Sequence, residues 1–185
     1  MKKIIFDCER MKYQDTGLFH YCLNLGKQLE KNFNLQDEQL FFYTPPGQQE
    51  WSYCSANHIT QNPLHKFVLP SLHSFDIWHA TYQNTQYMPM QNRKIKVVLS
   101  IHDLNFLYDE QKSAAKKQKY LRYLQNLIHR ADAIICISDF SKNDVLRHCK
   151  VDNKPLYVVH NGTNLLVTPG LSSISYKPHK PFLFS

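Results

Sequence analysis

The sequence predicts a doubly wound α/β domain with a mostly parallel sheet. Short apolar runs recur along the chain, and amphipathic stretches with helical spacing separate them. Several runs, such as "VVLSI", are apolar at nearly every position, which is typical of parallel strands that are buried on both faces. Strands that alternate with helices favour a parallel sheet. With 185 residues, the chain is long enough for one such domain, or for one domain and the start of another.

The elements can be assigned in order along the chain. The predicted strands are "KKIIF", "QLFFYTPP", "FDIWHA", "KVVLSIHD", "DAIICIS" and "PLYVVHNG", with shorter candidates at "NHITQ" and "KFVLP". A helix is expected after the first strand, with Thr16 as its N-cap and Gly17 just inside its start. The longest helix is predicted over residues 113 to 131. Ser141 and Asp144 are expected to open a short third helix as a capping box.

Composition limits the class of protein. No apolar run approaches the roughly 20 residues of a bilayer span, and the start "MKKIIFDCER" does not continue as a secretory signal, which favours a cytoplasmic protein. Five cysteines form no CxxC pattern and suit no closed disulfide framework. Ten histidines include no HExxH, so no metal site is expected. The net charge of +7 favours an anionic partner: nucleic acid, a nucleotide sugar or a negatively charged membrane.

Polar residues follow four of the predicted strands, at the carboxyl ends where open parallel sheets bind their ligands. They are Arg10 with the loop to Gly17, His102 with Asp103, Ser138 with Asp139, and Asn161 with Gly162. Each one alone also has a structural explanation as a core-edge histidine, a helix cap or a turn. No GxGxxG, GxxxxGK or GxSxG motif is present, so no dinucleotide fingerprint, P-loop or nucleophile elbow is predicted.

Taken in order, five segments resemble the N-terminal domain of glycosyltransferase family 4, the retaining enzymes of GT-B fold. The segments are "IIFDCERMKYQDTGLFHYCLNL", "VVLSIHDLNFLYDE", "RADAIICISDFSKNDVLRH", "LYVVHNGTN" and "KPFLFS". The resemblance implies a Rossmann-like domain that forms the N-terminal half of a GT-B enzyme. It also implies transfer of a sugar from a nucleotide-sugar donor to a glycan or lipid-linked acceptor, with retained configuration and no cofactor.

The resemblance also implies a division into domains. Residues 1–163 would be the acceptor-side domain and residues 164–180, which are rich in Ser, Thr, Pro and Gly, an interdomain linker. Residues 181–185 would be the first strand of a truncated C-terminal nucleotide-binding domain. Because that second domain holds most of the donor nucleotide in such enzymes, this chain alone is expected to be inactive.

Site roles follow from the same resemblance. His102 would be the catalytic residue, which hydrogen-bonds the transferred sugar or helps to hold the diphosphate. The expected donor- and acceptor-binding residues are Arg10, Gly17, His20, Ser138, Asn161 and Gly162, and no metal ligand is expected. Phe19 and His20 stand where the family pattern has a glycine and an arginine. Asp103 is expected to anchor its own loop.

Two further classes of partner are anionic: lipid membranes and nucleic acid. Lys112, Lys116, Lys119 and Arg122 are expected to share one helix face, which is either solvated or in contact with anionic lipids at the inner face of the membrane. The alternative function is a basic nucleic-acid-binding α/β module, but no RNP, KH or zinc motif supports it, so no nucleic acid is expected to bind. A nucleotide-sugar epimerase ranks last, because "DCERMKYQDTG" lacks the glycines of a dinucleotide-binding turn.

Overall fold

The computed structural model describes residues 1–34, 36–48 and 57–162. Within them, seven strands form one sheet: β1 (Lys2–Asp7), β2 (Glu38–Thr44), β3 (Asn57–Thr60), β4 (Ile77–Ala80), β5 (Lys96–Ile101), β6 (Ala133–Cys136) and β7 (Leu156–Val158). The helices are α1 (Gly17–Asn32), α2 (Ala114–Arg130) and α3 (Asp139–His148), with 3-10 turns at Glu9–Lys12, Pro63–Lys66 and Asn105–Leu107. All neighbouring strands are parallel, in the order β3-β2-β1-β4-β5-β6-β7. The predicted fold class is confirmed.

Helices cover both faces of the sheet. The register sets Ile5, Trp78 and Val97 side by side on one face, and they belong to the larger core cluster with Leu124 and Leu127 of α2. The opposite face carries Phe6 and Phe42, which form a second core cluster with Phe19 and Cys22 of α1. Because side chains alternate along a strand, β1 and β2 contribute to both clusters, which explains the nearly continuous apolar runs in these strands.

Helix starts follow from serine and threonine caps. The Thr16 side chain accepts the N–H of Phe19 at 3.2 Å, so α1 begins as predicted. The expected capping box at Ser141 and Asp144 is wrong, because α3 begins three residues earlier. Its N-cap is Ser138, whose hydroxyl accepts the N–H of Ser141 at 3.1 Å.

The weakly patterned segment before β4 is predicted only in part. The strand at "NHITQ" is confirmed as β3, whereas the strand at "KFVLP" is wrong. There the Asn62 side chain caps a 3-10 turn, and the N–H groups of Phe67 and Val68 both donate to the Leu64 carbonyl. Those donors are therefore not available to a neighbouring strand. The expected linker and the strand at residues 181–185 lie outside the described residues.

Candidate functional site

A crevice is expected where the connections from neighbouring strands run in opposite directions. In this sheet that point lies between β1, whose connection leads to β2, and β4, whose connection leads to β5 on the other side. Arg10 lies in the turn that follows β1, Tyr82 follows β4, and His102 follows β5. The Tyr82 ring contacts the Arg10 guanidinium, and its centroid lies 6.0 Å from that of the His102 ring.

His102 is held in one orientation by its backbone and its ring. It is 7% exposed, its N–H donates to Gln83 Oε1 at 3.0 Å, and its Nε2 lies 2.9 Å from the Thr81 carbonyl oxygen. A carbonyl oxygen only accepts hydrogen bonds, so Nε2 carries the proton and Nδ1 of the neutral ring is an acceptor. Burial lowers the pKa of His102 below its usual 6.5, and the nearby charge of Arg10 lowers it further. The imidazole is therefore neutral near pH 7.

Tyr82 connects Arg10 to this imidazole. Its guanidinium carbon lies 4.1 Å from the centroid of the Tyr82 ring, a cation–π geometry, and the Tyr82 ring centroid lies 6.0 Å from that of His102. Arg10 Nε is buried and has no hydrogen-bond partner within the described residues. A buried donor without a partner is costly in the free protein and is a candidate for pairing with a ligand oxygen.

Asp7 ties the loops of the crevice together. Its Oδ2 accepts the hydroxyl of Thr85 at 2.8 Å, its Oδ1 accepts the N–H of Glu9 at 2.9 Å, and its backbone carbonyl accepts the hydroxyl of Thr81 at 2.7 Å. The carboxyl is fully buried, and burial together with the negative charge of Glu9 raises its pKa to about 7. These bonds join the end of β1 to the segment after β4.

Ser138 and His102 lie on the same side of the sheet edge. The Ser141 hydroxyl donates to the His102 carbonyl oxygen at 2.5 Å and lies 3.0 Å from the Ser138 hydroxyl. Ser138 is thus two hydrogen bonds from the His102 backbone. Asp103 Oδ1 accepts the N–H of Asn105 at 3.0 Å, so Asp103 anchors its own loop as expected.

A comparison with known protein families identifies the family of this chain. The family model described as Glycosyltransferase Family 4 matches residues 18–165 of the 185. This chain belongs to glycosyltransferase family 4. The fold agrees with one half of a GT-B enzyme. No curated protein matches the sequence.

The remaining expected residues of this glycosyltransferase domain occupy less enclosed positions. Gly17 is the exposed first residue of α1, and nothing lies within 4 Å of the position that a Cβ would take there. His20 is exposed on the same helix, where its ring centroid lies 5.3 Å from that of Phe19. Asn161 and Gly162 are exposed after β7, two strands away from β5.

Phe19 does not obstruct the crevice of the glycosyltransferase domain. A phenylalanine in place of a family glycine suggests an obstructed loop, but this ring is only 6% exposed and packs in the core cluster with Phe6 and Met11. The position of the helix explains this outcome, because residue 19 lies in the first turn of α1 and faces the sheet.

Sequence reasoning missed the residues that follow β4. Thr81, Tyr82 and Gln83 hold both His102 and Arg10 in place, yet none of them was a candidate. A signal was present, because the polar run "TYQNT" directly follows the predicted strand "FDIWHA" at a carboxyl end. Tyr21 of α1 also contacts His102: their ring centroids lie 4.5 Å apart, and the Tyr21 hydroxyl lies 3.2 Å from that of Ser100.

In the described part of the glycosyltransferase domain, no group of three or more His, Cys, Asp or Glu side chains is placed to hold a metal ion. Across the same residues, no helix combines the length and the apolar character that crossing a bilayer requires.

Proposed function

We propose that this chain is the acceptor-side domain of a retaining glycosyltransferase. It would help to move a sugar from a nucleotide-sugar donor to a glycan or lipid-linked acceptor, without a metal or cofactor. The observation that carries the proposal lies between β1 and β4, where the Tyr82 ring contacts the Arg10 guanidinium and neighbours the neutral His102 imidazole. Membership of family 4 supports sugar transfer in general terms.

His102 and Arg10 would divide the donor between them. The Nε2–H group of His102 donates to the Thr81 carbonyl oxygen, so Nδ1 is the ring nitrogen that can accept a hydrogen bond. A sugar hydroxyl can donate to it. A neutral ring with an acceptor nitrogen does not suit a diphosphate oxygen. The permanent charge of Arg10 and its unpaired Nε suit the diphosphate instead. Both groups are held before the substrate arrives, which favours electrostatic stabilisation of the transition state.

The rest of the machinery would lie in a second domain. We propose that residues 164–180 link this domain to a C-terminal nucleotide-binding domain of about 170 residues, and that the chain is inactive without it. The continuation of the gene tests this directly, since it should encode a second α/β domain. A native gene product with the 21.9 kDa mass of this chain would contradict the proposal. The complete enzyme would work in the cytoplasm, in peripheral contact with the inner face of the membrane.

Replacement of His102 by alanine tests the function itself. In the complete enzyme, His102→Ala should lower kcat/KM for the nucleotide sugar by about 10²-fold, as the loss of one preorganised polar contact does elsewhere. The wild-type rate should also fall in acid, because protonation of Nδ1 turns the acceptor into a donor. That fall should come below pH 6.5, since burial lowers the pKa of His102.

The matched control is His73→Ala, which removes an exposed imidazole from the connection between β3 and β4. It should leave both the rate and its pH dependence unchanged. Near-UV circular dichroism would show that each variant keeps its tertiary structure. A folded His102→Ala enzyme with wild-type turnover would remove His102 from the mechanism.

A further inference from the structure

Two exposed aromatic rings lie in contact beside the candidate site and have no part in the mechanism above. Tyr108 is 52% exposed and Phe140 is 60% exposed, and their ring centroids are 6.1 Å apart with 41° between the ring planes. Phe140 lies in the first turn of α3, between Ser138 and Ser141, which connect to the His102 backbone. We call Tyr108 and Phe140 the aromatic shelf.

The aromatic shelf is held in place by a buried carboxylate. The Tyr108 hydroxyl donates to Asp144 Oδ1 at 2.6 Å, and Asp144 is 3% exposed. Its other oxygen, Oδ2, is buried and has no hydrogen-bond partner in the described part of the chain. Burial of a carboxyl group that has a single hydrogen-bond partner costs free energy. The fold bears this cost, and the bond to Asp144 fixes the position of the Tyr108 ring at the surface.

The surroundings of the shelf favour a carbohydrate over a protein partner. Protein-binding surfaces have an apolar centre from which charged residues are depleted. Here the chain neighbours are polar and exposed: Asp139 precedes Phe140, Asn143 follows it by three positions, and Asn105 precedes Tyr108 by three. A pyranose ring combines a C–H face with a rim of hydroxyls. The C–H hydrogens carry slight positive charge and suit the negative face of an aromatic ring, while the carboxylate and amides suit the hydroxyls.

We propose that the aromatic shelf of Tyr108 and Phe140 binds a pyranose ring of the acceptor. The inference rests on the proposed function for its location, since the shelf lies within one helical turn of the residue that bonds the His102 carbonyl oxygen. A sugar held there stands on the same rim as the crevice between β1 and β4. The shelf is therefore a subsite for the acceptor and contributes to its specificity.

Binding of simple glycosides to this chain tests the proposal without turnover or donor. The probes are the methyl glycosides of glucose, galactose, mannose and N-acetylglucosamine, with uridine as a probe for base stacking. NMR titration of the labelled chain should show saturable shifts at the rings of Tyr108 and Phe140 with at least one glycoside. Phe140→Ala should weaken that binding about fivefold to tenfold, the range of one aromatic contact.

Matched variants separate stacking from other effects. Phe140→Leu keeps an apolar side chain without a π face and should weaken binding as Phe140→Ala does, whereas Phe140→Trp should retain it. Phe67→Ala removes a ring that is 86% exposed in the segment before β4 and should leave the affinity unchanged. Absence of saturable shifts with every glycoside, shifts with uridine alone, or full affinity in Phe140→Leu would each overturn the proposal. None of these results alters the His102 turnover test, which decides the proposed function separately.

Discussion

Asp7 connects the loops around the crevice, but burial of its carboxyl group disfavours the ionised form. Its carboxyl is fully buried at the end of β1, and its pKa is raised from 3.8 to about 7, by burial first and then by the charge of Glu9. A folded-state pKa above the unfolded value means that the protonated form favours folding. The contribution of Asp7 to stability is therefore complete below pH 3.8 and is lost as the pH rises through 7.

Replacement of Asp7 by asparagine should remove this pH dependence. Asp7→Asn cannot ionise, and its amide can still accept from the Glu9 N–H and donate to the Thr85 hydroxyl. The variant should gain stability relative to the wild type as the pH rises from 3.8 to 7, and the difference should reach roughly 4 kcal/mol above that range. Urea unfolding of both proteins over this pH range measures the difference directly.

A second buried group makes the comparison between two proteins necessary. Burial lowers the pKa of His79 to about 4, so its contribution is present above pH 6.5 and is lost as the pH falls through 4. This trend is opposite to that of Asp7, but it is common to both proteins and cancels in the difference. Asp15→Asn, at an exposed turn, removes the same charge and is the matched control for that change. A flat curve for Asp7→Asn would contradict the assigned pKa shift.

The sequence supports some site residues and is silent about others. His102 and Arg10 are predictable because His102 directly follows β5 and Arg10 lies in the turn after β1, and both strands are strongly patterned. The polar run "TYQNT" marks Tyr82 as a residue at a strand end, but its contact with Arg10 at 4.1 Å depends on the pairing of β4 with β1. Contacts between residues that are 72 positions apart follow from the strand order, and no local pattern encodes them.

At the scale of elements, predictions succeed where one periodicity dominates. The central strands β1, β4 and β5 are buried on both faces, so continuous apolar runs identify them. The segment "KFVLP" has a similar composition, but a 3-10 turn capped by Asn62 leads into it, and Phe67 and Val68 are 86% and 73% exposed. The start of α3 is mispredicted because Ser138 and Ser141 are both suitable caps, and only the bond from Ser141 to the His102 carbonyl oxygen separates their roles.

Arg130 connects the end of α2 to the segment between β4 and β5. It is 3% exposed at the end of α2, and its guanidinium donates to the carbonyl oxygens of Pro89, Asn92 and Ile95 at 2.6–2.8 Å. Arg130 donates from two nitrogens whose positions the planar guanidinium fixes, and the single nitrogen of a lysine on a flexible stem cannot take both positions. Arg130→Lys should therefore lower the free energy of unfolding by about 2–4 kcal/mol, as two or three buried acceptors lose their donors.

The control for this prediction lies on the same helix. Arg122 is exposed, and Arg122→Lys should change the free energy of unfolding by less than about 0.5 kcal/mol. Urea unfolding at fixed pH serves for both variants. Equal stabilities of the Arg130→Lys and Arg122→Lys proteins would show that the connection between β4 and β5 does not depend on the guanidinium.

At the scale of the whole molecule, strand order creates the site. The chain starts in the middle of the sheet, extends to β3 at one edge, returns to β4 and extends to β7 at the other edge. This path leaves β1 and β4 as neighbours whose connections diverge, so the crevice forms there. The net charge of +7 also acts at this scale, since it favours encounter with any anionic surface.

The structure leaves fewer basic residues for the proposed membrane contact than the sequence predicts. Lys112 pairs with Asp109, which leaves Lys116, Lys119 and Arg122 as the exposed basic face of α2. Within the described residues none of these three has a salt bridge. Each basic side chain near an anionic bilayer is worth about 1 kcal/mol, so the basic face as a whole would lower the dissociation constant roughly 100-fold.

Co-sedimentation with vesicles tests whether position or net charge governs that contact. Replacement of all three residues of the basic face by glutamate should abolish binding to vesicles that contain phosphatidylserine. The same change at the exposed Lys2, Lys31 and Lys94 alters the net charge equally at scattered positions and should weaken binding far less. If both triple variants lose binding equally, net charge alone attracts the protein and α2 has no special role. Equal wild-type binding to neutral vesicles would contradict an electrostatic contact altogether, because a neutral surface offers the cations of α2 nothing to pair with.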